Sequence, residues 1–296
     1  MSSTGPRHEV AVHTQAALGE GPTWDAARGA LLWVDILNSR VHTYDPGAGN
    51  RTVMLTGQHV GAAKPRVGGG LVVNLRDGVG SYDVDGSFSW LHRDPRPGRR
   101  GNDAAVAPDG SLWWGTMAYD EEPGAGGLFR LAGDGRVETV LTGVTVSNGT
   151  GWSPDGRLMY YNDSPTRRID AFDHDPDADP AEGADGGRLS GRRPLAEVEE
   201  GAGFPDGLTV DAEGCVWVAL WGGAAVRRYT PDGRLDRVLP VPVKNPTACA
   251  FGGPGLRDLY VTTASVTADP AAEPLAGSLL VFPGVGEGLE QPAFAG

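Results

Sequence analysis

Pro154-Asp155-Gly156-Arg157-Leu158-Met159-Tyr160-Tyr161 is a turn running into a strand, and the chain repeats this phrase six times. Asp followed by Gly favours a turn, because the Asp carboxylate bonds nearby backbone and Gly takes positive φ at no steric cost. The apolar run after it reads as a strand buried on both faces. The other copies lie at 25–34, 70–74, 108–114, 211–218 and 252–261. With Trp33, Val72, Trp113, Tyr160, Trp217 and Tyr260 taken as equivalent, successive steps are 39, 41, 47, 57 and 43 residues. That spacing matches a four-stranded propeller blade of roughly 40–50 residues.

A second phrase fixes the register. After each aromatic strand comes another that ends in a turn, at 41–47, 80–86, 128–135, 169–173, 226–233 and 279–284. Outer strands such as 136–141 and 234–239 follow their own blades, but the last blade has no such successor. The segment 9–18 is an orphan strand ahead of the first repeat. The expected fold is therefore all-β, a six-bladed β-propeller whose N-terminal strand completes the last blade and removes the open sheet edge. Residues 1–8 read as a tail and 9–296 as a single propeller domain.

Composition agrees. Gly and Pro make up 69 of 296 residues (46 and 23), against roughly 12% in average proteins, which disfavours helical bundles. Apolar residues at 40% and eight Trp supply a core. The net charge of −13 argues against nucleic acid or an anionic membrane as partner. A small neutral molecule or a cation fits better. The first ten residues carry Arg7, His8 and Glu9 and no apolar signal core, so the expected location is cytoplasmic. Cys215 and Cys249 sit in apolar runs and read as buried free thiols.

The longest step carries an acidic run inside residues 173–193. Counted from Asp173, the EF-hand glycine position holds Ala178 and the bidentate glutamate position holds Ala184, so the run reads as a solvated hairpin insertion.

In a propeller the inner strands converge at one mouth. Five of them open on an acid or amide: Glu20, Asn102 with Asp103, Asn148, Asp206 and Asn245. Glu20, Asn148 and Asp206 are each followed by Gly. Together they form an oxygen-rich set with two formal charges that suits one divalent cation, against the plainer reading that each caps a turn. Oxygen-only donors point to Ca²⁺ first, with Mg²⁺, Mn²⁺ and Zn²⁺ as alternatives. No His stands at a converging position, which sets a His-rich zinc site aside. Arg100 lies two residues from Asn102 and reaches toward the mouth, while Arg93, Arg96 and Arg99 read as surface. Asp120 and Glu121 are placed on the rim. No serine-hydrolase elbow or phosphate loop occurs.

These residues resemble the SMP-30/gluconolactonase/luciferin-regenerating (regucalcin-like) family. The matching phrases are Leu18-Gly19-Glu20-Gly21-Pro22-Thr23-Trp24-Asp25, Arg100-Gly101-Asn102-Asp103, Gly115-Thr116-Met117, Ser147-Asn148-Gly149 with Trp152-Ser153, and Phe204-Pro205-Asp206-Gly207-Leu208 with 211–218. The resemblance implies that Glu20, Asn148 and Asp206 ligate the metal and that Asp206 is also the general base. It places Arg100, Asn102 and Asp120 against substrate, Asp120 standing where regucalcin-like members commonly have Glu. The implied activity is metal-assisted opening of a sugar (aldono-) lactone, and the implied state is a monomer or weak dimer. Hydrolysis of another ester, natural-product lactone or organophosphate, or non-catalytic Ca²⁺ binding, are the alternatives on this scaffold.

Overall fold

The computed structural model describes residues 7–178 and 188–296. After β1 (Glu9–Val12), blade 1 is β2 (Gly19–Asp25), β3 (Ala30–Asp35), β4 (Arg40–Asp45) and β5 (Asn50–Leu55). Blade 2 is β6 (Val60–Pro65), β7 (Leu71–Leu75), β8 (Gly78–Tyr82) and β9 (Phe88–Arg93). Blade 3 is β10 (Arg99–Val106), β11 (Leu112–Ala118), β12 (Gly126–Leu131) and β13 (Val137–Val144). Blade 4 is β14 (Ser147–Trp152), β15 (Leu158–Asp163), β16 (Arg168–His174) and β17 (Leu189–Glu197). Blade 5 is β18 (Phe204–Val210), β19 (Val216–Trp221), β20 (Ala225–Tyr229) and β21 (Leu235–Pro240). Blade 6 is β22 (Pro246–Gly252), β23 (Asp258–Thr263) and β24 (Leu279–Phe282), with β1 as its outer strand.

β1 closes the ring, pairing antiparallel with β24 through Glu9 opposite Val281 and Val10 opposite Leu280. The six aligned residues all fall on second strands, and Trp33, Trp113 and Trp217 are fully buried there. Each core cluster is a seam between adjacent blades. Trp217, Val226 and Leu239 of blade 5 meet Phe251, Val261 and Leu280 of blade 6, with Cys249 among them. Both cysteines are free and buried. The Asp-Gly turns work as expected: Asp109 Oδ1 accepts from Ser111 N at 2.9 Å, and Gly110 stands at φ 77°.

A second closure was not foreseen. The C-terminal segment crosses the far end of the channel, bridging Gly288 to Asp211 in blade 5 and Phe294 to Arg66 after blade 2. Phe294 is buried, its N–H donating to Pro65 O at 2.8 Å. Part of the acidic insertion, 179–187, and most of the N-terminal tail lie outside the described residues. Among the described residues, no helix is long and apolar enough to cross a membrane.

Candidate active site at the channel mouth

Every blade is built in the same strand order, so the inner strands run alike around the channel and their starts meet at one end. Side chains of the same blade and of the preceding one pin those starts. Asp35, at the end of β3, accepts the N–H groups of Ala17 and Leu18, both at 3.2 Å, just ahead of Glu20. Asp163 does the same for Thr145 and Val146 ahead of Asn148. Asn162 Nδ2 donates to Asp206 O at 2.7 Å, and Asn74 Nδ2 donates to Asn102 O at 2.9 Å. Thr247 Oγ1 donates to Gly19 O at 2.5 Å. The buried amides and carboxylates one strand out are thus the scaffold of the site, and each satisfies backbone that a propeller mouth leaves without ladder partners.

The glycines after the proposed ligands serve the packing of blades. A Cβ on Gly149 would lie 2.6 Å from Asp206 O, and one on Gly207 would lie 2.3 Å from Ala248 Cβ. Close approach here is between inner strands rather than toward a ligand.

Glu20, Asn102, Asn148, Asp206 and Arg100 are all buried. Arg100 Nη1 donates to Asn102 Oδ1 at 2.6 Å, and Asn102 Nδ2 donates to Ser147 O at 2.8 Å and to Asn148 Oδ1 at 3.3 Å. Asn148 Nδ2 donates to Ser164 Oγ at 2.9 Å, which directs its amide oxygen the other way. Asp206 Oδ1 is buried with no hydrogen-bond partner. Burial, then the Asp103 carboxylate, pushes Glu20 up to about 8. Burial, then Glu20 and Asp103, pushes Asp206 well above the ordinary carboxylate range. An orphaned buried carboxylate oxygen beside a second carboxylate and an amide oxygen is a donor set that fits a hard divalent cation.

That arrangement fixes a pH dependence. A folded-state pKa above the unfolded one means the folded protein holds more protons between about 4.5 and 8, so its stability falls as pH rises through that window. Thermal melts of metal-free protein are expected to show a decline of several kcal/mol at most, at about 1.4 kcal/mol per pKa unit. Glu20→Gln flattens it, and a metal-free melting profile that rises from pH 5 to pH 8 would contradict the assignment.

A different acidic group, Asp211, Glu213 and Cys215, brings its ligand-type atoms within 4.8 Å of one another. Its oxygens are already engaged. Asp211 accepts from the Glu213 and Cys215 N–H groups, from Trp217 Nε1 at 2.8 Å and from Arg228 Nε at 2.8 Å, while Arg228 also pairs with Glu213 and Asp236. Blade 3 repeats the device with Asp109, Ser111, Trp113 and Arg130. The group is a structural brace. Asp211→Ala is expected to cost about 3 kcal/mol by leaving Arg228 underpaired, read as a lower denaturation midpoint with unchanged metal stoichiometry.

A family model described as the SMP-30/Gluconolactonase/LRE-like region matches residues 18–265, from just ahead of Glu20 to just past the last inner hairpin. The chain belongs to this family. Proteins similar to this chain include a pentonolactonase from Haloferax volcanii, 36% identical over 261 residues, covering 88% of this chain and 86% of that one. A 6-deoxy-6-sulfogluconolactonase from Pseudomonas putida is 33% identical, with coverage of 96% and 97%. The crystal structure of a calcium-binding regucalcin from Agrobacterium tumefaciens superposes with a TM-score of 0.90 at 30% identity, covering 98% of both chains.

On the rim of the SMP-30-like mouth, Asp120 is exposed and accepts the Glu122 N–H at 3.3 Å, with no hydrogen bond or ion pair to Arg100. Its neighbour Tyr119 has the Arg100 guanidinium 6.0 Å from its ring and its hydroxyl 2.7 Å from His59 Nδ1. His59 and Tyr119 thus clasp blades 2 and 3 across the mouth. Neither residue was singled out from sequence, because rim loops carry no strand periodicity. Lys64 was missed as well, although a lysine inside the apolar run 60–65 is a readable anomaly.

Proposed function

We propose that this protein hydrolyses a lactone, with an aldonolactone as the substrate class, using one divalent cation held by Glu20, Asn148 and Asp206. The buried, unpartnered Asp206 Oδ1 carries this reading. Membership of the SMP-30/gluconolactonase/LRE-like family, and the lactonase names of two similar proteins, support the substrate class. The oxygen donor set, and the similarity to a structure described as calcium-binding, favour Ca²⁺.

A cation in that set supplies Lewis-acid polarisation of the lactone carbonyl. Asp206 is the general base: its carboxylate takes a proton from the attacking water as the oxygen adds to the carbonyl carbon. When the ring C–O bond breaks, that proton goes to the departing ring oxygen, and an open hydroxy acid leaves. Arg100 presents its remaining guanidinium N–H donors to sugar hydroxyls, and Asn102, whose Oδ1 holds Arg100 at 2.6 Å and whose Nδ2 is committed to Ser147 O and Asn148 Oδ1, fixes its position beside the substrate. Tyr119 and His59 narrow the approach above them.

Arg100→Ala is expected to lower kcat/KM by about 10–100-fold, mainly through KM, because it removes donors and frees Asn102. Steady-state kinetics on glucono- and galactono-lactone check it, and an unchanged KM on both would remove Arg100 from the substrate site.

A further inference from the structure

Blade 2 contributes no proposed ligand at the mouth. At the position where β2, β14 and β18 carry Glu20, Asn148 and Asp206, β6 has Gly61, packed so closely that a Cβ would lie 2.1 Å from Asn102 O. Three residues further along β6, as Thr23 and Thr209 are three past Glu20 and Asp206, stands Lys64. Its side chain is buried and Nζ donates to Thr23 Oγ1 at 2.6 Å. Lys64 and Asp103 line a cavity of about 280 Å³ that continues below the ligand positions and is bounded by residues 289–292 of the C-terminal segment. The ammonium acts electrostatically on both Glu20 and Asp103.

The formal charges in the channel are few. Glu20, Asp103 and Asp206 bring three negative charges, and Lys64 and Arg100 bring two positive ones. One divalent cation changes the balance from −1 to +1, inside a chain whose net charge is −13. Without Lys64, the Asp103 carboxylate and the Thr23 hydroxyl would offer oxygen donors to a second cation below the first.

We propose that Lys64 is the channel's built-in counter-cation: held on Thr23 in the cavity that Asp103 also lines, it occupies the place a second metal ion would take, and it leaves the loaded channel one positive charge in excess for a carboxylate ligand. The inference rests on Glu20, Asn148 and Asp206 being the metal ligands. It makes Lys64 a positioning residue that sets stoichiometry and anion affinity without contacting the reacting atoms.

Calorimetric titration of chelator-stripped, full-length protein with Ca²⁺ and then with D-gluconate tests it, using wild type, Lys64→Met and Lys64→Gln, with thermal melts to establish folding. Wild type is expected to take one ion. The folded variants are expected to bind the first ion about tenfold more tightly, to take a second only at higher Ca²⁺, and, with one ion bound, where the balance is 0 instead of +1, to bind gluconate about tenfold more weakly. Opposite shifts in the two affinities are the signature, since a purely structural loss weakens both. One ion at wild-type affinity in a folded variant, with gluconate binding unchanged, overturns the proposal. Wild-type protein that takes no ion overturns the ligand reading as well, so the two failures are told apart.

Discussion

Asp206→Ala is expected to lower kcat/KM for aldonolactone hydrolysis by about 10³-fold or more, because it removes the general base and one of three proposed cation donors together. The same change should not destabilise the metal-free protein. Asp206 Oδ1 is buried without a partner, and its carboxyl sits against the Glu20 and Asp103 charges, so deletion relieves a penalty that a cation would otherwise offset. A loss of activity with an equal or higher metal-free Tm is therefore the expected pair of results. Asp206→Asn refines it: an amide oxygen keeps a donor for the cation while abolishing proton acceptance. Retained ion binding with lost turnover would isolate the base role. Turnover near the wild-type rate in Asp206→Ala would end that role.

Removing the cation is the second large effect. Chelation at pH 7 is expected to reduce turnover by about 10²–10³-fold. The affinity for added Ca²⁺ should rise with pH, since Glu20, at about 8 in the metal-free protein, must release its proton to ligate. Titrations between pH 6 and pH 9 check this directly: affinity climbing toward pH 8 and levelling above it is the expected curve, and a flat curve would dissociate Glu20 from the ligand set. Protons released on binding, read from the buffer dependence of the calorimetric heat, should be fewer in Glu20→Gln, where only Asp206 remains as a raised carboxyl among the proposed ligands.

The ring was legible because its signals are local and repeated. A turn containing Gly, an apolar strand with an aromatic in five of six copies and a second turn recur at blade spacing, and each element needs only its own residues to be recognised. Ring closure followed from one strand left over at 9–12 and one missing after β24. The ligand candidates were legible for the same reason, since Glu20, Asn148 and Asp206 stand at one position of a repeated strand. The rim was not. Asp120 and Tyr119 are neighbours, and which one faces Arg100 depends on the turn at Glu121, which adopts a positive φ of 55°. Lys64 was hidden by a different cause: its strand carries Gly61 where β2, β14 and β18 carry a proposed ligand, so nothing at the start of β6 marks it. The C-terminal closure depends on contacts between residues more than 200 positions apart, such as Arg66 Nε donating to Gly296 O at 2.9 Å, and no local pattern announces those.

The central claim is that the Glu20, Asn148 and Asp206 set makes a metal-dependent lactonase. Its most direct test is hydrolysis of glucono-, galactono- and arabinono-lactone, corrected for spontaneous opening, by protein stripped with chelator and then reloaded with Ca²⁺, Mg²⁺, Mn²⁺ or Zn²⁺. The account predicts turnover of at least one lactone that is lost on stripping and restored by one of these ions. Undiminished turnover in stripped protein, or ion binding with no turnover of any lactone, would contradict it.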